Sequence, residues 1–171
     1  VRLLWIHDIW AGNGTHANLL RADAVFGLSK WHCAFIRQHH SLPAEQVVQT
    51  ANGVDVTRFD QQVTRDPHKV IYSSSPDRGL LSLLQMWPRI RAAVPDATLH
   101  VFYGFDTWRT SAQQRGDAGG LAQIDQLIAM MRELEPQGVT ARGRVDQKTL
   151  AREMLSAGAF LYPQWFTESS C

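Results

Sequence analysis

Apolar residues recur along the chain in two rhythms. Short apolar runs of strand length fall at Leu3 to Ile6, Ala24 to Leu28, Val70 to Tyr72, Thr98 to Tyr103, Val139 to Val145 and Ala159 to Tyr162. Between them, apolar residues return every three or four positions, as on one face of a helix. Lys30 to His39 is one such stretch, with Ser29 placed to cap it and Trp31, Phe35 and Ile36 sharing a face that reads as core. Leu80, Leu83, Leu84, Trp87 and Ile90 mark a second, which Pro88 is expected to bend. Leu121, Ile124, Leu127, Met131 and Leu134 mark a third, closed by Pro136 and Gly138. Asp146 caps a fourth, carrying Leu150, Met154 and Leu155 and ended by Gly158. Two polar stretches interrupt the rhythm: Thr57 to Lys69 reads as a linker, and Thr107 to Gly120 as a long loop.

Strands alternating with helices predict right-handed crossovers and an α/β fold, a Rossmann-like parallel sheet with helices on both faces. The linker places a domain boundary, with residues 1–60 before it and 61–171 after it. At 171 residues the chain is long enough for one domain and part of another, and 44% hydrophobic residues suit a globular core. Lys and Arg number 17 against 16 Asp and Glu, a formal charge of +1, so no global field recruits nucleic acid. Two cysteines, Cys33 and Cys171, make no disulfide framework, and the reading is a cytoplasmic protein with peripheral membrane association left open. The opening strand has no initiator Met, and the last strand runs into a Glu-Ser-Ser turn that calls for a covering helix. The expectation is therefore a piece of a longer protein.

Chemistry concentrates at strand ends, where open α/β sheets bind ligands. Ser73-Ser74-Ser75-Pro76-Asp77-Arg78-Gly79 lies between a strand and a helix. Helix-start amides and the Arg78 fork would cradle phosphate. Alternatively, Ser75 and Asp77 cap the helix and Arg78 is a surface charge. The segment is neither GxGxxG nor a P-loop. Glu168, just past the last strand, is either a hydroxyl-binding carboxylate or a solvated surface residue. His32, Cys33, His39 and His40 crowd one helix, but their spacing does not converge on a small ion, so no metal is expected.

Taken in order, Ser29-Lys30, Asn52-Gly53-Val54-Asp55, Arg78-Gly79, Gly143-Arg144-Val145 and Tyr162-Pro163 followed by Glu168 resemble the retaining GT-B glycosyltransferases of family 4. The resemblance runs over nearly the whole chain. It implies that residues 1–60 close an acceptor-side Rossmann domain and that 61–171 form a truncated nucleotide-sugar donor domain. Arg78-Gly79 stands where members carry Lys-Gly, which implies that Arg78 stabilises the departing diphosphate, and Ser74 stands where many carry a second cation. Gly143, Arg144 and Val145 resemble the nucleobase loop. Glu168 resembles the first acid of the E-x7-E motif, with Ser169, Ser170 and Cys171 offering amides and the second acid lying beyond Cys171. His7 and Asp8 are similar to a pair that contacts donor sugar.

The implied reaction is metal-independent transfer of a sugar from a nucleotide-diphosphate donor to an acceptor hydroxyl, with no cofactor, by a protein of which this piece alone is inactive. A non-catalytic α/β binding or scaffolding module with a decayed nucleotide site is the alternative. A nucleotide-sugar epimerase or dehydrogenase lacks its glycine-rich turn here, and neither Tyr72 nor Tyr103 has the Lys four positions on that such enzymes use.

Overall fold

The computed structural model describes residues 1–9, 15–165 and 167–169. The described residues of 1–54 and 166–171 form one compact unit and those of 55–165 a second.

The first unit carries three parallel strands, β1 (Leu3–Trp5), β2 (Ala24–Gly27) and β3 (Val47–Gln49), hydrogen-bonded in that order. Helix α1 (Thr15–Leu20) follows β1, and α2 (Lys30–His40) follows β2. The Ser29 hydroxyl accepts the His32 amide at 3.1 Å, capping α2 as its position anticipates. Helix α2 buries His32, Cys33, Ile36 and His40. Trp31 is 46% exposed and stacks on Phe35, which stacks on His39, so this aromatic column is outward-facing rather than core. The reason lies in β2: a Cβ on Gly27 would come within 2.8 Å of Cys33 Sγ. The missing side chain lets α2 approach the sheet on its Cys33 side, which turns Trp31 away.

The second unit has four parallel strands in the order β6-β5-β4-β7, with β4 at Asp66–Tyr72, β5 at Thr98–Phe102, β6 at Val139–Gly143 and β7 at Ala157–Phe160. Helices α3 (Leu80–Ala93), α4 (Asp106–Arg115), α5 (Ala118–Glu133) and α6 (Gln147–Ser156) connect them. Side chains alternate across the sheet. Val70 and Tyr72 point into a core with Leu80, Leu83, Leu84 and Trp87 of α3 and Leu127 and Met131 of α5. Ile71 and Phe102 face the other way, against Leu150 and Met154 of α6. The expected parallel α/β architecture is present.

Three local readings change. The stretch expected as a loop at Thr107 to Gly120 is mostly helix: α4 buries only Ala112 and has Trp108 as its one large apolar residue, so it carries no apolar stripe to read. Its support is tertiary, through Trp108 against the core and an ion pair from Arg109 to Asp125 at 2.7 Å. The polar linker contains a 3-10 turn at Val56–Phe59, capped by Asp55, and β4 begins within it at Asp66, where that strand pairs with Ala157. Gly158 does not end α6; it lies inside β7, where a Cβ would collide with the Pro67 carbonyl.

Under α6, Lys69 Nζ donates to Glu153 and, at 2.7 Å, to Ser156 Oγ, while Arg142 reaches Glu153 Oε1 at 3.3 Å and His100 Nδ1 lies 3.8 Å from its other oxygen. Burial, reinforced by the Lys69 charge, holds the His100 imidazole below its ordinary 6.5, so it is neutral in the fold. Burial pushes the Glu153 carboxyl up, but the hydrogen bond and charge of Lys69 together with the Arg142 charge outweigh it, and the net direction is below 4.5. An unfolded chain binds protons at both sites more readily, so both contributions are complete above about pH 6.5 and drain away on acidification. The urea midpoint is expected to hold steady from pH 8 to 7 and to fall from about pH 6.5 to 4. Glu153→Gln should flatten the lower part of that fall, and an acid-independent midpoint would refute the assignment.

Candidate functional site

In the second unit the order in which strands are laid down reverses between β4 and β7, which run parallel: β5 and β6 lie to one side of β4, and β7 to the other. A crevice at the carboxyl ends of these two strands is where such sheets take ligands. Two segments leave the sheet there, Ser73 to Gly79 after β4 and Leu161 to Trp165 after β7.

Tyr72, the last residue of β4, is fully buried, and its hydroxyl reaches the carbonyls of Ser75 at 2.7 Å and Arg78 at 2.9 Å. Burial pushes its pKa strongly up, so the phenol stays protonated and donating. Within the loop the Arg78 amide donates to the Ser75 carbonyl at 2.9 Å, closing a turn with Pro76 at its second position. Gly79 then adopts φ +93 as the residue before α3, and a Cβ there would run into the Pro163 carbonyl. That close approach joins the two segments. Tyr162 adds a tilted ring contact to Tyr72, with centroids 6.3 Å apart.

Neither Ser75 nor Asp77 caps α3: Gly79 occupies the cap position and supplies no side chain. The capping alternative therefore falls away, and the first-turn amides of a 14-residue helix carry terminal partial charge beside Arg78. Arg78 and Ser74 are both half-buried. The loop is thus pinned by a buried phenol and by glycine packing, a rigid setting for a guanidinium.

Gly143 ends β6 with φ +65, and its carbonyl accepts the Tyr103 amide at 3.0 Å. Arg144 lies over the Tyr103 ring, 5.1 Å from its centroid, and Val145 packs beneath against Ile71, Phe102 and Ala157. The anticipated Gly143-Arg144-Val145 loop is therefore tied to the end of β5. Tyr103 is a further residue of this loop, and the sequence signal for it is a Tyr-Gly pair directly after a strand, which marks a turn.

The remaining candidates belong to the first unit. His7 follows β1, and its carbonyl accepts the Ser169 hydroxyl at 2.8 Å; the Ser169 carbonyl in turn accepts from the Ser29 hydroxyl at 2.7 Å. Ser169 is buried, Glu168 half-buried. Asp8 Oδ1 accepts the Ile9 amide. His32 accepts the Leu28 amide at Nδ1 and is wholly buried; burial lowers its pKa, with the Asp8 main chain partly offsetting. It is a structural histidine. No metal-ligating cluster occurs among the described residues. Ser170 and Cys171 lie outside the described residues.

No family model and no curated protein matches the chain. Solved structures do match. A glycosyltransferase from Rickettsia africae superposes with a TM-score of 0.69 at 11% identity, covering 98% of this chain and 46% of that one. The pneumococcal O-GlcNAc transferase GtfA, crystallised with UDP and GlcNAc, gives 0.62 at 11% identity over 98% of this chain and 33% of its own. A mutant of S. aureus TarM, in complex with fondaparinux, alpha-GlcNAc-glycerol and UDP, gives 0.59 at 13% identity over 88% and 30%. The fold is that of the Rossmann-like domains of GT-B glycosyltransferases. The chain spans less than half the length of each of these structures.

Proposed function

We propose that this chain is part of a retaining, metal-independent glycosyltransferase of GT-B family 4, with 1–60 closing the acceptor-side domain and 61–171 binding the donor. The observation that carries the reading is the Ser73–Gly79 loop at the β4/β7 reversal, with Arg78 held by Tyr72 at the start of α3. Supporting it, GtfA and TarM have fold-matched structures containing UDP.

As the anomeric bond breaks, negative charge grows on the leaving diphosphate, and a rigid guanidinium with helix-terminal amides compensates it without a metal ion. In this reading Glu168 holds donor-sugar hydroxyls together with Ser169, Ser170 and Cys171, and His7 and Asp8 contact the same sugar. Gly143, Arg144 and Val145 meet the base, and Ser74 and Gly79 line the phosphates. The acceptor hydroxyl comes from a glycan, a lipid-linked sugar or a small molecule, and the setting is the cytoplasm, with or without peripheral attachment to a membrane. Turnover needs the remainder of a longer protein. Among the described residues no helix is long and apolar enough to cross a membrane.

Calorimetric titration with UDP, GDP, ADP and their sugars tests the donor site. One nucleotide is expected to bind selectively, and Arg78→Ala to weaken it about 10- to 100-fold, the range for a lost charge-assisted hydrogen bond. Indifference to every nucleotide would leave the non-catalytic module as the better description.

A further inference from the structure

A cleft of about 250 Å³ opens beside the Ser73–Gly79 loop, lined by Ser75, Asp77, Tyr103, Thr107, Trp108, Ser111 and Arg115. Two of its walls are aromatic. Tyr103 sits at φ +94, a conformation that a bulky residue adopts only when its surroundings impose it, and such strain clusters at functional sites. Its surroundings are specific: the Gly143 carbonyl accepts its amide, and the Arg144 guanidinium lies against its ring. Tyr103 is 37% exposed despite this fixing. Trp108 stands on the first turn of α4, a helix with almost no apolar face of its own, packed against the core at one side and lining the cleft at another.

We propose that this cleft is a carbohydrate subsite for one neutral pyranose ring. Aromatic faces are electron-rich and attract the polarised C–H faces of sugars. Hydroxyls of Ser75, Thr107 and Ser111 and the charged ends of Asp77 and Arg115 surround the opening with both donors and acceptors, which suits a ring of hydroxyl groups. Among the lining residues one carboxylate balances one guanidinium, so the lining itself favours no phosphate. Its volume falls below the roughly 300–1,000 Å³ that hold drug-sized ligands and matches a single ring rather than a whole nucleotide sugar. The subsite goes beyond donor binding and does not depend on Arg78.

The test is saturation-transfer NMR and titration of the protein with methyl glucopyranoside, methyl galactopyranoside and N-acetylglucosamine, each with and without saturating UDP. At least one glycoside should bind with a millimolar Kd that UDP leaves unchanged. Asp77→Asn and Trp108→Ala should each weaken it at least tenfold. Tyr103→Gly is the sharper variant: glycine accepts φ +94 without strain, so the melting temperature should hold or rise while glycoside binding falls at least tenfold. Absence of glycoside binding, displacement of the glycoside by UDP, or full affinity in Tyr103→Gly and Asp77→Asn would overturn the proposal. Each of those results is read separately from the binding of UDP itself.

Discussion

Gly79→Ala is expected to destabilise the protein by about 2–4 kcal/mol and to abolish nucleotide binding in the proposed donor site. Two costs add. At φ +93 an alanine pays for a left-handed backbone, roughly 1–2 kcal/mol. Its Cβ also meets main-chain atoms of Pro163 and Gln164, which cannot swing aside as a side-chain tip would. The loop after β4 and the segment after β7 must then separate, and Arg78, whose carbonyl is bonded to Tyr72, moves with the loop. Gly116→Ala supplies the control: its φ is +65 but nothing lies within 4 Å of the added carbon, so only the backbone cost of about 1 kcal/mol applies. Urea denaturation of both variants, with UDP titration of each, checks this. Equal losses in the two variants would show that the approach to Pro163 has no energetic consequence.

Trp87→Ala is expected to cost about 3–5 kcal/mol, a large share of the 5–15 kcal/mol that holds a typical domain. Trp87 is fully buried between α3 and the sheet and has the largest side chain in that core. Its indole nitrogen also donates to the Gln137 carbonyl at 3.0 Å, so truncation leaves both a cavity and an acceptor without its partner. Because Gln137 leads through Gly138 into β6, the strand that carries Gly143, loosening should spread to the Tyr103–Arg144 contact. Denaturant midpoints measure the loss. Trp87→Phe, which keeps most of the volume but not the donor, should recover more than half of it, and a Phe variant as unstable as Ala would place the main contribution in the hydrogen bond.

Where a segment's own pattern carried the burial, the sequence was readable. Leu80, Leu83, Leu84 and Trp87 predicted both α3 and its inward face, Ser29 and Asp146 predicted their caps, and short apolar runs separated by amphipathic stretches predicted a parallel sheet. Helix α4 was not readable, because its stability comes from Trp108 packing and the Arg109–Asp125 pair rather than from an apolar stripe. Trp31 misled for a related reason: an aromatic residue signals burial only where the neighbouring surface lets its face approach, and Gly27 brings a different face of α2 to the strand.

The candidate site divides along the same line. That Arg78-Gly79 and Arg144-Val145 follow β4 and β6 was readable from the apolar runs and the residue types at their ends. Nothing local announced that Tyr72 would hold that turn, that Gly79 would lie under Pro163 more than 80 residues away, or that Tyr103 would be forced into a left-handed turn beneath Arg144. Periodicity and capping are short-range properties and were settled by neighbouring residues. Strand order, close backbone approach and the aromatic cleft arise from contacts between distant segments, whose partners are chosen only when the sheet assembles.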